Sequence, residues 1–422
     1  MDAFRTAIDR RQFLTVGATI GLAATAGCTG APDEDRPADD DRPIDDAVED
    51  DPAVNDDPAV DDGAAFEVGI VAEGLGHPWA IAFVPDDTRM LVTEREGRLR
   101  WVDREDGQIG SIDGTPAVDA RGQGGLLDVA IDPAYPEEPW LYLTYAATND
   151  EGETATHLAR GRLALDAGTL EDVETIHVAE PFVESTVHYG SRVIVEGGML
   201  YVTVGDRGDK RFGERASEHY SQDTTTELGA TLRLERDGSI PEDNPFVDDP
   251  DVADSIVSYG HRNAQGMTVH PETGEIWQSE HGEEDGDEIN VIEAGGNYGW
   301  PITHYGCEYG TDEPVGPDPH ERDDVIDPVY YWECTSGGFP PAGMTFYDGE
   351  AFPEWQGDLF VGTLAGQYLG RFAVDGTDVE EREQLLADRG WRIRDVAVAP
   401  DSGHLYLAID ASDAPIVRLR SE

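Results

Sequence analysis

The chain has 422 residues, 39% of them hydrophobic, enough apolar material for a large core and inconsistent with a wholly disordered chain. Its 89 Asp and Glu against 29 Lys and Arg leave a formal net charge of -60, which argues against nucleic acid as a partner. Lys210 is the single lysine, and a surface so acidic and lysine-poor reads as adaptation to concentrated salt, where its self-repulsion is screened. Acidic clusters lose value as metal signals for the same reason, since most of them belong to that surface.

Residues 1–30 carry paired arginines, Arg10 and Arg11, an apolar run of about a dozen residues, and Thr25-Ala26-Gly27-Cys28. This pattern resembles a twin-arginine export signal ending in a lipoprotein box, which predicts lipid attachment at Cys28 and residence on the outer face of the membrane. The apolar run is too short to span a bilayer. Residues 31–65 hold 15 acidic residues and two arginines with repeated Asp-Pro pairs, a composition that predicts a solvated, extended linker.

From residue 66 to 422 one phrase recurs six times: an apolar alternation, then Pro or Gly with Asp, then a second apolar strand. "WAIAFVPDDTRMLVTE", "LLDVAIDPAYPEEPWLYLTY" and "SRVIVEGGMLYVTVGD" are the first three, and "QGMTVHPETGEIWQSE", "AGMTFYDGEAFPEWQGDLFVGT" and "IRDVAVAPDSGHLYLAID" the last three. Each reads as a hairpin. At about sixty residues apiece, and with no long helical periodicity between them, they predict an all-β fold: a six-bladed β-propeller of four-stranded antiparallel blades. Two packed β-sandwiches are the competing reading, one that does not call for so regular a phrase.

The third hairpin carries a candidate pair. A turn at Gly197 and Gly198 brings its ends back side by side, so His188 and Asp206 can meet. Other polar residues stand at hairpin borders beside glycines: Gln123 in "GQGG", Arg262 and Asn263 in "GHRNAQG", the run "SEHGEEDGDEIN", and Arg392 and Arg394 in "WRIRD". Taken singly, each is better explained by turn satisfaction or an ion pair between blades. Taken together they fit a funnel where loops of successive blades converge on a ligand. Cys307 and Cys334 are either a disulfide, in keeping with export, or two buried thiols.

These phrases, with "LGATLRLERDGSIPEDNPF" and "GGNYGWP", match in order across residues 66–422 and resemble the soluble quinoprotein aldose (glucose/sorbosone-type) sugar dehydrogenases. With its lipoprotein box and acidic surface, the chain is similar to a haloarchaeal-type lipoprotein member. The resemblance implies a propeller that binds pyrroloquinoline quinone (PQQ) and calcium, oxidises an aldose at C1 to its lactone, and passes electrons to an external acceptor. Carried over by position, it implies that His188 is the general base, that Asp206 orients it, and that Arg262 stabilises charge growing on the quinone. Gln123, Arg262, Asn263, Arg392 and Arg394 are then contacts to PQQ or substrate, and the main-chain carbonyls of Gly282 and Glu283 hold calcium. One departure stands out: Ala365 follows "LFVGTL" where relatives commonly place a cofactor-binding lysine. Two other functions suit the same fold: a non-catalytic surface propeller that binds a glycan or protein, favoured by Ala365 and the lack of a substrate-specific motif, and a metal-dependent lactone hydrolase, disfavoured by the "RIRD" and "GHRN" phrases.

Overall fold

The computed structural model describes residues 65–421; the export signal and lipid-attachment site, and all but the last residue of the acidic linker, lie outside the described residues. Six antiparallel sheets follow one another along the chain, five of four strands and one, the third, extended by the two-residue parallel strand Gly296–Asn297. Their first strands are Pro78–Phe83, Leu126–Ile131, Val193–Glu196, Ala264–Val269, Pro341–Phe346 and Ile393–Val398. Each touches the next and the last touches the first, so the sheets are blades around a closed ring, the expected six-bladed β-propeller.

Burial explains why the recurring phrase has two kinds of apolar strand. Arg89–Glu94 and Leu359–Thr363 are packed between neighbouring blades and are buried almost throughout, so their sequences run apolar without alternation. The outer strand Asp378–Leu385 faces solvent on one side and alternates exposed with half-buried residues. The apolar seams lie between blades: Trp79, Leu91 and Leu99 of the first pack with Leu127, Leu141 and Leu143 of the second. The N-terminal strand Phe66–Leu75 pairs with the C-terminal strand Ala414–Ser421, closing the sixth blade with both ends of the described chain. That pairing ties the two ends of the described chain together and closes the ring.

Five of the six first strands carry a register shift near their start, between Pro78 and Ala80, Leu126 and Val129, Ala264 and Gly266, Pro341 and Met344, and Ile393 and Asp395. Such bulges re-aim side chains. Here they fall on Trp79, Asp128, Gln265 and Arg394. In the third blade, Arg192 immediately precedes the first strand. Its guanidinium donates to Asp128 and to Asp395 at 3.3 and 3.1 Å and to the Gln265 carbonyl at 2.9 Å, and lies 4.4 Å from the Trp79 ring centre. One side chain thus ties five blades at the axis. Burial, opposed by Arg192 and reinforced by Asp395, pushes Asp128 up to about 6.

Candidate active site

The hairpin of the third blade forms as the sequence predicts, with Glu196 paired to Met199 across a turn at Gly197 and Gly198. Beyond the strands its two ends cross closely. A Cβ on Gly205 would lie 2.2 Å from the His188 carbonyl oxygen, so only glycine lets the segments approach this far. His188 has a φ of 49°, a strained left-handed conformation for a non-glycine residue, fixed by the 2.7 Å bond its N–H donates to Gln123 Oε1.

His188 Nδ1 and Asp206 Oδ1 are 2.6 Å apart, and both side chains are buried. A carboxylate only accepts, so Nδ1 carries the proton and Nε2 keeps its lone pair. Gly208 N–H also donates to Asp206 Oδ1, at 2.8 Å, while the Trp300 indole N–H donates to Oδ2 at 2.8 Å. Burial, with help from the Arg262 charge, lowers the proton affinity of His188 against the opposing pull of Asp206, so the imidazole is neutral near pH 7. Burial alone would raise Asp206, but its bond to His188 and the Arg262 charge hold it well below the usual carboxylate range.

Arg262 and Asn263 arrive on the loop before the fourth blade. The Asp206 N–H donates to the Arg262 carbonyl at 2.8 Å, and Asn263 Oδ1 accepts the Gly190 N–H at 3.1 Å, which fixes this loop against the His188 segment. The Arg262 guanidinium is buried and bonds Glu283 Oε2 at 2.9 Å. Lys210 pairs with the other oxygen of Glu283 from the exposed rim. Burial would raise Glu283, but Arg262 and Lys210 outweigh it and keep the carboxylate ionised. The expectation for Glu283 concerns its main-chain carbonyl alone, and the ion bridge formed by its side chain is a role that a carbonyl-ligand pattern does not signal.

Arg392 and Arg394 gather around Asp410 of the sixth blade. Arg394 donates to Asp410 Oδ2 at 2.9 Å and to Gln265 Oε1 at 2.6 Å, while Arg392 is 3.7 Å from Asp410 Oδ2. His77 Nδ1 bonds the other Asp410 oxygen at 2.8 Å. Gln265, two residues beyond Asn263, links this group to the His188 side. Ala365 is exposed just past the strand Leu359–Thr363.

Two buried donors of the expected set, Asn263 Nδ2 and Arg394 Nε, have no hydrogen-bond partner among the described residues. Orphaned donors beside arginines fit a flat ligand rich in carbonyl and carboxylate oxygens, as PQQ is. Among the described residues no three His, Cys, Asp or Glu side chains are grouped to hold a metal ion. Main-chain ligands would leave no such group, and Gly282 folds so tightly that a Cβ would lie 1.9 Å from the Asp285 carbonyl oxygen. Cys307 and Cys334 form a disulfide, and Cys307 exchanges both backbone hydrogen bonds with Glu284, at 3.1 and 2.9 Å, pinning the disulfide-bearing segment to this loop.

Sequence reasoning missed Trp300, the side-chain role of Glu283, and the axial Asp128–Arg192–Asp395 group. A signal for the last was present: "LLDVAIDP" and "RIRDVAVAP" both place Asp inside an apolar strand.

Residues 75–418 match the glucose/sorbosone dehydrogenase family. The chain is 35% identical over 357 residues to the aldose sugar dehydrogenase YliI of Escherichia coli K12, covering 83% of this chain and 92% of that protein. The solved apo-form of the soluble aldose sugar dehydrogenase from Escherichia coli superposes with a TM-score of 0.79 at 35% identity, over 85% of this chain and all of that one. The PQQ-bound form of an aldose sugar dehydrogenase from Streptomyces coelicolor superposes with a TM-score of 0.66 at 26% identity, over 85% and 99%.

Proposed function

Because the chain belongs to the glucose/sorbosone dehydrogenase family and is a sugar-oxidising enzyme of the quinoprotein kind, we propose that it oxidises a pyranose at C1 to the lactone, with PQQ and calcium bound, and hands the electrons to an external acceptor. The observation that carries this reading is the buried His188–Asp206 pair, whose neutral imidazole keeps Nε2 free as a base.

PQQ, when bound, accepts the hydride. The rest is done by side chains of this protein. His188 Nε2 takes the proton of the C1 hydroxyl, and Asp206 fixes the tautomer and stabilises the imidazolium that forms. Arg262, charged and buried, faces developing negative charge, and its bridge to Glu283 holds its fork in place. Asn263 Nδ2 and Arg394 Nε would supply donors to the cofactor, with Gln123 bracing His188 and Arg392 adding charge at the rim. The carbonyls of Gly282 and Glu283 would hold calcium, a cation suited to oxygen ligands of flexible geometry. The cation absent at Ala365 would have to be offset by concentrated salt or by Arg392 and Arg394.

The same reading puts the enzyme outside the cell, lipid-anchored at Cys28, a view supported by the export-type N-terminal sequence and by a disulfide that persists in oxidising surroundings. Purified apoprotein in concentrated salt, given PQQ and calcium, is expected to reduce an artificial dye at the expense of an aldose and release lactone. Dye reduction that needs no PQQ, or no sugar oxidation with PQQ bound, overturns the proposal.

A further inference from the structure

We propose that Trp300 is a positioning residue of the proton-accepting pair: its indole N–H holds the outer oxygen of Asp206, so that the inner oxygen keeps His188 turned with Nε2 toward substrate. This inference rests on the reading of His188 as the base.

A carboxylate swings easily about its last torsion, whose energy profile is broad and two-fold. In Asp206 both oxygens are occupied. Oδ1 receives His188 Nδ1 at 2.6 Å and Gly208 N–H at 2.8 Å, and Oδ2 receives Trp300 Nε1 at 2.8 Å. His219 comes near but cannot replace the indole. Its Nε2 is 3.6 Å from Oδ2, too far for a hydrogen bond, and bonds the Asp209 carbonyl at 3.1 Å instead. Its Nδ1 accepts the Ser221 N–H at 3.2 Å, which places the only ring proton on Nε2, already engaged.

Trp300 is itself held on every side. Its backbone N–H bonds the Gly260 carbonyl at 2.9 Å and its own carbonyl accepts Gln222 Nε2 at 2.7 Å. The ring is crossed edgewise by Phe212, His219 and His304, with ring centres 5.4, 5.9 and 4.8 Å away, and the Arg262 guanidinium lies 5.4 Å from its centre. One buried indole therefore fixes the carboxylate behind His188 while packing against the arginine in front. Indole N–H suits this task because it donates only and does not titrate, so its polarity toward Asp206 never reverses.

The arrangement has a chemical consequence beyond support. The charged groups bearing on the pair are Arg262 and Lys210, which disfavour a proton on His188, Asp206, which favours it, and Arg262 and Arg207, which favour the ionised Asp206; neutral His219 faces Asp206 without bonding it, and Glu283 lies between Arg262 and Lys210. An indole bond draws charge from Asp206 and weakens its pull on the His188 proton. Deleting that bond makes Asp206 more basic and raises the proton affinity of His188.

Trp300→Phe keeps an aromatic ring and removes the N–H. In the apoprotein, with no cofactor present, the ¹⁵N NMR titration of His188 is expected to move to higher pH. In the PQQ-loaded enzyme the acid limb of kcat/KM should move the same way, with kcat near neutral pH down about tenfold and KM for the sugar within about twofold. An unmoved His188 titration, or a loss confined to KM, overturns the proposal. Should the variant not fold, the wild-type indole proton of Trp300 is the readout: it is expected to shift as His188 titrates, and an indole resonance insensitive to that titration overturns the proposal equally. Failure of the native chain to bind PQQ would sink the enzymatic reading and leave these apoprotein results standing.

Discussion

Replacing Asp206 by Asn alters one atom and one charge in a buried site whose hydrogen bonds fix the outcome. Oδ1 takes two donors and Oδ2 takes one, so the amide settles with its oxygen toward His188 and Gly208 and its NH2 against the Trp300 N–H. That orientation preserves the His188 tautomer and sets two donors face to face at Trp300. The negative charge beside the imidazolium disappears. With Nδ1 and Oδ1 2.6 Å apart, the charge centres of the protonated pair lie about 4 Å apart, where unit charges attract by about 4 kcal/mol at an effective dielectric of about 20. A transition state with half to full proton transfer then loses about 2–4 kcal/mol, a fall in kcat of roughly 30- to 1,000-fold. Stability falls too, because the pKa of Asp206 in the folded protein lies below its unfolded value of about 3.9, so its ionised form stabilises the protein at every pH above that value. Dye-linked turnover of the PQQ-loaded variant, with its thermal midpoint measured alongside, tests the claim. A folded Asp206→Asn enzyme within about threefold of wild type refutes it.

Arg192→Met leaves Asp128 and Asp395 buried at the axis without their cation, and thermal unfolding should show a loss of about 3–5 kcal/mol, partly restored by adding Asp128→Asn; an unchanged midpoint contradicts the axial role. Reducing the Cys307–Cys334 disulfide opens a loop closed across a sequence separation of 27, worth about 3.5 kcal/mol of unfolded-state entropy and a fall of about 5 °C in Tm. A chain of net charge -60 should unfold at steadily higher temperature as salt rises from about 0.1 M to about 1 M and the screening length shrinks from about 10 to about 3 Å. A flat or falling midpoint would refute the high-salt reading of its composition.

The fold was legible because each blade is local: a turn such as Gly197–Gly198 joins strands that pair with each other, and the phrase repeats. His188 and Asp206 were legible for the same reason, as two ends of one hairpin. The pairing of Phe66–Leu75 with Ala414–Ser421 was not, since nothing in either segment names a partner more than three hundred residues away. Trp300 reaches Asp206 across 94 residues through a loop whose path no periodicity encodes. The resemblance implies a main-chain role for Glu283, yet its side chain is drawn inward by Arg262 and Lys210, a matter of where two cations happen to point. The bulges that aim Asp128, Gln265 and Arg394 at the axis were likewise invisible, because a one-residue shift leaves the apolar pattern on either side intact.

The central claim is that His188 takes the proton from a sugar that reduces PQQ in this site. Apoprotein loaded with PQQ and calcium in concentrated salt, then mixed anaerobically with an aldose and followed by the absorbance of the bound quinone, tests it most directly. The account predicts one equivalent of PQQ bound per chain and fully reduced by the sugar, and a His188→Ala protein that binds PQQ equally well but leaves it oxidised. A wild-type chain that does not bind PQQ, or a His188→Ala chain that reduces it at the wild-type rate, would contradict the account.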